Sequence, residues 1–217
     1  MQERLRNAPC VAALVGDGAA VCTFRVVSVQ PVHIRRAKAQ AAEAAQAAGS
    51  GRAKVVSCAM RMPSDAVVLA DNYSSGGVFC SVDWSAERLI GPARDLRGEL
   101  RTHHPNTGAR IDGHPLPGAR AAIERCAALH ELVCAEYFAD AYPWLAWDVA
   151  LTTGGAGSHV LEVNPISGPG FQLVCGPWLA EPMVRRVFEQ VPRWRLRRDR
   201  GDPVVRSTPR RRAELER

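Results

Sequence analysis

Lysine is nearly missing from this chain: of its 28 basic residues only Lys38 and Lys54 are lysines, the other 26 being arginines. With the abundance of alanine, that bias fits a GC-rich coding sequence, but it also leaves few candidates for any chemistry that needs a lysine. No stretch approaches the roughly 20 apolar residues of a membrane helix, so no membrane span is expected. The amino terminus, MQERLRNAPC, lacks the apolar core of a secretion signal, and the expected compartment is the cytoplasm. The seven cysteines, at positions 10, 22, 58, 80, 126, 134 and 175, contain no CxxC pair and no metal-finger spacing. They read as reduced, mostly buried small apolar residues. With 47% hydrophobic and 23% charged residues, 217 residues make one ordinary domain, or one half of a larger enzyme, and exclude a wholly disordered or collagen-like chain.

The net charge of +6 is localised. Residues 192–217 hold ten arginines against Asp199, Asp202, Glu214 and Glu216, which accounts for the whole excess and leaves the body neutral. This tail has three prolines and little apolar periodicity, the pattern of a solvated, disordered extension. Arginine-rich tails also bind phosphate non-specifically, but the body offers nucleic acid no basic face visible in sequence.

Periodicity predicts an α+β fold: an antiparallel sheet of about five or six strands with helices packed on one face. A short amphipathic helix is expected over 5–14, and strands over 20–29, 54–60, 66–70 and 77–82. The connections are short enough to require antiparallel pairing. The alanine-dominated stretch 34–48, closed by Gly49, Ser50 and Gly51, reads as a surface helix or low-complexity insertion reaching to residue 53. Residues 91–118 hold five glycines, four prolines and three histidines, a long irregular loop. A helix over 117–138 has the clearest apolar stripe, with His130 as a histidine at the edge of the core.

The richest segment is 147–172, WDVALTTGGAGSHVLEVNPISGPGFQ. Two alternating runs flank a glycine-rich turn near 153–157, a β-hairpin pattern. Alternation puts Glu162 and Asn164 on one face. With Thr152 opposite Ser158, Asp148 falls opposite Glu162, their Cβ atoms roughly 4.5–5.5 Å apart. Two adjacent carboxylates among mostly apolar neighbours repel unless a cation sits between them. Two acids and an amide are oxygen-only donors that suit a hard dication such as magnesium. The same spacing also describes an ordinary amphipathic hairpin whose acids face water.

These residues, with DNYSSGG at 71–77, HPNTG at 104–108 and GHPLP at 113–117, resemble the ATP-grasp superfamily, in particular its sugar-transfer-associated branch. The resemblance runs over 2–172 and is most specific in the order and spacing of DNYSSGG, WDVALT and LEVNPISGPG. It implies an ATP- and magnesium-dependent ligase that activates a carboxylate as an acylphosphate for capture by an amine. The substrate it implies is a sugar-linked or cell-surface-polymer precursor. By matching motif, Asp148, Glu162 and Asn164 would hold magnesium, with Asp148 either a ligand or an orienting group. Arg25, in TFRVV, would face the transferred phosphate, a role suited to a charged, bidentate guanidinium, although a structural ion pair explains it too. Gln2, Asn72, His104 and Gln172 would line the nucleotide and substrate pocket. For His104 the alternative is a purely structural loop residue.

The resemblance starts at the family's hinge and covers its carboxyl-terminal half. Residues 1–191 therefore read as an ATP-grasp-like domain lacking the amino-terminal subdomain and its phosphate-reaching lysines. Because phosphoryl transfer depends on positioning and charge neutralisation, the chain alone is expected to be a poor enzyme. A reading from another class is a non-catalytic interaction module whose tail binds anionic partners.

Overall fold

The computed structural model describes residues 5–30, 52–65, 71, 75–95, 97–136, 143–153, 157–165, 169–185 and 187. The expectations for Gln2, Asn72, the 66–70 strand, the basic tail and the alanine-rich stretch up to residue 51 lie outside them.

The fold is α+β, built on one antiparallel sheet of seven strands in the order β5-β4-β3-β2-β1-β6-β7. In chain order these are β1 (Thr23–Val29), β2 (Lys54–Met62), β3 (Val78–Asp83), β4 (Arg88–Arg94), β5 (Leu100–Arg101), β6 (Trp144–Leu151) and β7 (Ser158–Asn164). The helices are α1 (Pro9–Val15), α2 (Ala119–Glu136) and the single turn α3 (Gln172–Cys175). The sheet exceeds the expected five or six strands because β4 and β5 fall within or beside the stretch read as irregular loop. β4 carries Gly91 and Pro92, a glycine at φ +71° and a residue without an N–H, and the β3–β4 ladder takes them up by a register shift between Phe79 and Ser81.

Alternation along the strands sorts side chains onto two faces. Phe24, Val26, Cys58, Met60, Met62, Cys80, Trp147 and Val149 form the larger core with Val11 and Leu14 of α1 and Ala122, Ile123 and Cys126 of α2. The opposite face carries Val27, Val29 and Trp144, covered by Trp178, Val184 and Val187 from the chain beyond α3. The expectation that helices cover one face therefore holds for α1 and α2 only. Further along the second face Phe171 packs on Phe79.

Local chemistry explains the helices. α1 opens on Pro9, preset for a first helical turn, and closes on Gly16 at φ +99°, where an added Cβ would stand 3.2 Å from Asn106 Nδ2. The N–H of Gly118 and that of Arg120, at the start of α2, are accepted by Glu87 Oε1 at 2.9 and 3.1 Å, a cap supplied from the β3–β4 turn. His130 is fully buried under the sheet rather than at its edge. Its Nδ1 lies 2.8 Å from Ser28 Oγ, which also accepts from the Trp147 indole at 2.8 Å.

Candidate functional site

β1 sends Phe24 and Val26 to the apolar core and Thr23 and Arg25 to the other face. Residues opposite each other in an antiparallel ladder share a face. Thr23 pairs with Arg61, Arg25 pairs with Asp148, and Asp148 pairs with Glu162. Asn164 lies opposite Ala146 on the same face. The result is a polar row crossing β2, β1, β6 and β7 beside an otherwise apolar interior.

At its centre Asp148, only 4% exposed, is held by two guanidiniums. Arg25 donates from Nε and Nη2 to its two carboxylate oxygens at 2.5 and 3.0 Å, and Arg61 donates from Nη2 at 3.0 Å. Arg61 also donates to Thr23 Oγ1 from Nε at 2.8 Å and Nη2 at 2.5 Å. Its Nε lies 3.5 Å from Asp71 Oδ2. Asp71 in turn accepts from the Thr23 hydroxyl and from the Thr23 backbone N–H at 2.8 Å. Burial pushes the Asp71 carboxyl above the ordinary aspartate range, against the pull of Arg61 and the two Thr23 hydrogen bonds.

The other side of Arg25 is covered by Phe171, whose ring centroid is 5.4 Å from the guanidinium carbon. That ring also meets Phe79 edge-on at 5.4 Å. Gln172 follows directly, as the first residue of α3. Glu162 is exposed and Asn164 half-buried on the edge strand β7.

The hairpin register differs from the expected one in its outer half. Leu151, not Thr152, lies opposite Ser158, and a bulge between Asp148 and Val149 absorbs one residue of β7. The pairing of Asp148 with Glu162 arises through that bulge. The premise of two carboxylates among apolar neighbours is also corrected: Arg25 and Arg61 supply the cationic partners of Asp148. Arg61, one residue past the strand expected over 54–60, and Asp71, read only as the first residue of the DNYSSGG motif, were missed as members of this cluster. The one sequence signal was the alternation of Ser57, Ala59 and Arg61 with Val56, Cys58, Met60 and Met62.

His104 lies elsewhere. It is 1% exposed, its Nε2 is 2.8 Å from the Pro63 carbonyl oxygen, and its Nδ1 has no partner among the described residues. The rest of HPNTG braces the end of α1: Thr107 donates to Leu14 O at 2.5 Å and Asn106 to Val15 O at 3.1 Å. Gly76 likewise serves a turn, with φ +91° and no atom closer than 3.9 Å to an added Cβ.

Burial also lowers the His104 imidazole below its ordinary range, because the charged form loses solvation. A lowered folded-state value means that the unfolded chain binds the proton more readily. Stability from His104 is present above about pH 6.5, the ordinary histidine value, and declines as pH falls below it. Comparing urea denaturation at pH 7 and pH 5, the wild type is expected to lose more stability than His104→Gln. Equal losses would refute this. Asp71, shifted upward, acts with the opposite sign and does not mimic the effect.

Near the chain start a cavity of about 620 Å³ is lined by Leu5, Arg6, Asn7, Pro9, Asp17 and Thr153, among others. Asn7 ties this end of the chain to the start of β1: its Oδ1 accepts from Cys22 N at 2.8 Å and its Nδ2 donates to Ala20 O at 3.0 Å.

Among the described residues no three His, Cys, Asp or Glu side chains gather as a metal site. A cation here would therefore rest on Glu162, the Asn164 amide and whatever Asp148 has left. The donors are oxygens only, which fits a hard dication completing its shell from water and phosphate oxygens. The row sets two guanidiniums against the three carboxyl groups of Asp71, Asp148 and Glu162, and Glu162 is the one open to solvent. Also among the described residues, no helix is long and apolar enough to cross a membrane. The chain matches no family model, no curated protein and no solved structure.

Proposed function

We propose that the polar row is the phosphate- and magnesium-binding face of an ATP-grasp-type carboxylate-activating domain acting on a sugar-linked or cell-surface precursor. The observation that carries this reading is the register placing Arg25, Asp148 and Glu162 side by side on three adjacent strands. A fixed cation beside an open carboxylate is an arrangement that receives a metal–phosphate complex from both sides. The motifs quoted above supply the substrate class.

Within this reading Glu162 and Asn164 would hold the ion, which would supply positive charge to the nucleotide phosphates. Asp148 acts chiefly on the arginines, since both its oxygens accept from guanidinium. It keeps Arg25 pointed along the sheet, so that no reorganisation is needed when charge develops beside it. Arg25 Nη1 is the terminal nitrogen not engaged by Asp148 and is the group offered to a phosphoryl oxygen. Phe171 shields the guanidinium from water on one side, strengthening its interactions on the other.

The test is calorimetric titration of the full chain with ATP in the presence of magnesium and in the presence of EDTA. Magnesium-dependent affinity is expected. Its absence, with and without an added ATP-grasp amino-terminal half, overturns the reading.

A further inference from the structure

The polar row contains a continuous relay that runs beyond Arg25. Asp71 accepts from Thr23, Thr23 Oγ1 accepts two N–H groups of Arg61, Arg61 donates on to Asp148, and Asp148 accepts both bonds of Arg25. Thr23, Arg61, Asp71 and Asp148 are all below 9% exposed, so neither bulk water nor salt substitutes for these partners. Arg25 and Asp148 alone do not define a unique geometry, because a carboxylate can rotate about its Cβ–Cγ bond and still accept two bonds. A second guanidinium on Oδ2 removes that freedom. The fork of Arg61 is itself fixed from behind, with Nε and Nη2 converging on one hydroxyl. Asp71 is also the first residue of DNYSSGG, the segment that follows β2.

The geometry points to Arg61 as a positioning residue. Held by Thr23 and Asp71, it sets the orientation of Asp148 and, through it, of the Arg25 guanidinium, and so couples Asp71 to the site. The consequence for ligand affinity rests on the reading of the face as a nucleotide site, but the coupling itself does not. Arg61 need not touch a ligand to act in this way.

The experiment uses the full chain labelled with nitrogen-15 on arginine. The Arg25 Nε–H resonance is identified by its loss in Arg25→Lys. Arg61→Lys keeps the charge but loses the fork, and is expected to move the Arg25 signal through the Asp148 Oδ2 that accepts from both guanidiniums. Thr23→Val, which removes the hydroxyl and keeps the shape, is expected to move it in the same direction. Thr23→Ser, which restores the hydroxyl, is expected to return it to the wild-type position. If Arg61→Lys fails to fold, the Thr23 pair carries the test alone. An Arg25 signal unmoved in folded Arg61→Lys and Thr23→Val, or not restored in Thr23→Ser, overturns the proposal.

A parallel titration separates the two readings. If the wild type binds Mg·ATP, Arg61→Lys is expected to bind about tenfold more weakly, the usual size of an outer-shell effect. Equal binding overturns the consequence for affinity while leaving the nucleotide site intact. A wild type that binds no Mg·ATP, together with an Arg25 signal that responds as expected, ends the nucleotide reading and upholds the coupling.

Discussion

Replacing Asp148 by alanine is expected to cost about 3–5 kcal/mol of folding stability, the usual penalty for removing one partner from a buried charge cluster. For a chain of this size that corresponds to a fall in Tm of roughly 6–20 °C. The reason is the asymmetry of burial. Arg61 is 7% exposed and the Arg25 side chain 14%, so neither guanidinium regains full hydration when its carboxylate is removed. Thr23 and Asp71 remain for Arg61, but Arg25 loses both of its carboxylate bonds. Asp148→Asn keeps the shape and one acceptor oxygen and should fall between the alanine variant and the wild type. Urea denaturation of the three proteins checks the order. A loss below about 1 kcal/mol for Asp148→Ala would mean that the ion pairs behave like exposed ones. The penalty should also persist at high salt, since screening acts mainly on solvated charges.

Glu162→Gln is expected to weaken magnesium-dependent nucleotide affinity about 10- to 100-fold while leaving the fold intact. Glu162 is exposed on an edge strand and has no ion pair among the described residues, so losing its charge removes little from the native state. Its value lies in what it offers a ligand. A charged oxygen facing a cation is worth about 1.5–3 kcal/mol more than a poorly matched neutral one, which converts to that range of affinity at 1.4 kcal/mol per tenfold. Asn164→Ala removes a neutral donor and should act in the same direction with a smaller effect. Titration of Mg·ATP into each variant, beside unchanged urea midpoints, makes the measurement. Equal affinities in wild type, Glu162→Gln and Asn164→Ala would remove both positions from the site.

The contrast between the two carboxylates shows how far the sequence could be read. Both were legible as members of one hairpin, and alternation put Glu162 and Asn164 on a single face. Their division of labour was not legible. Asp148 sits on an interior strand between β1 and β7, and β1 brings Arg25 directly against it, with Arg61 beyond on β2. Glu162 has no strand on its outer side among the described residues. The bulge in β7 was hidden as well, because SHVLEVN alternates equally well with and without it. For His104 the sequence left a pocket role and a structural loop role open, because its contact with the Pro63 carbonyl is made across the fold by a segment that the local motif does not name.

What the chain alone determined was local: the alternation that separates Phe24 and Val26 from Thr23 and Arg25, the stripe of α2, and the turn between β6 and β7. These depend on neighbours within a few residues, where backbone geometry fixes the direction of each side chain. Only the tertiary structure decided which strands lie next to which, and with that the meeting of Arg61, Asp71 and Asp148 from distant stretches of sequence. Strand order follows from burial of the whole sheet against α1 and α2, a sum over many weak contacts, and no single segment encodes it.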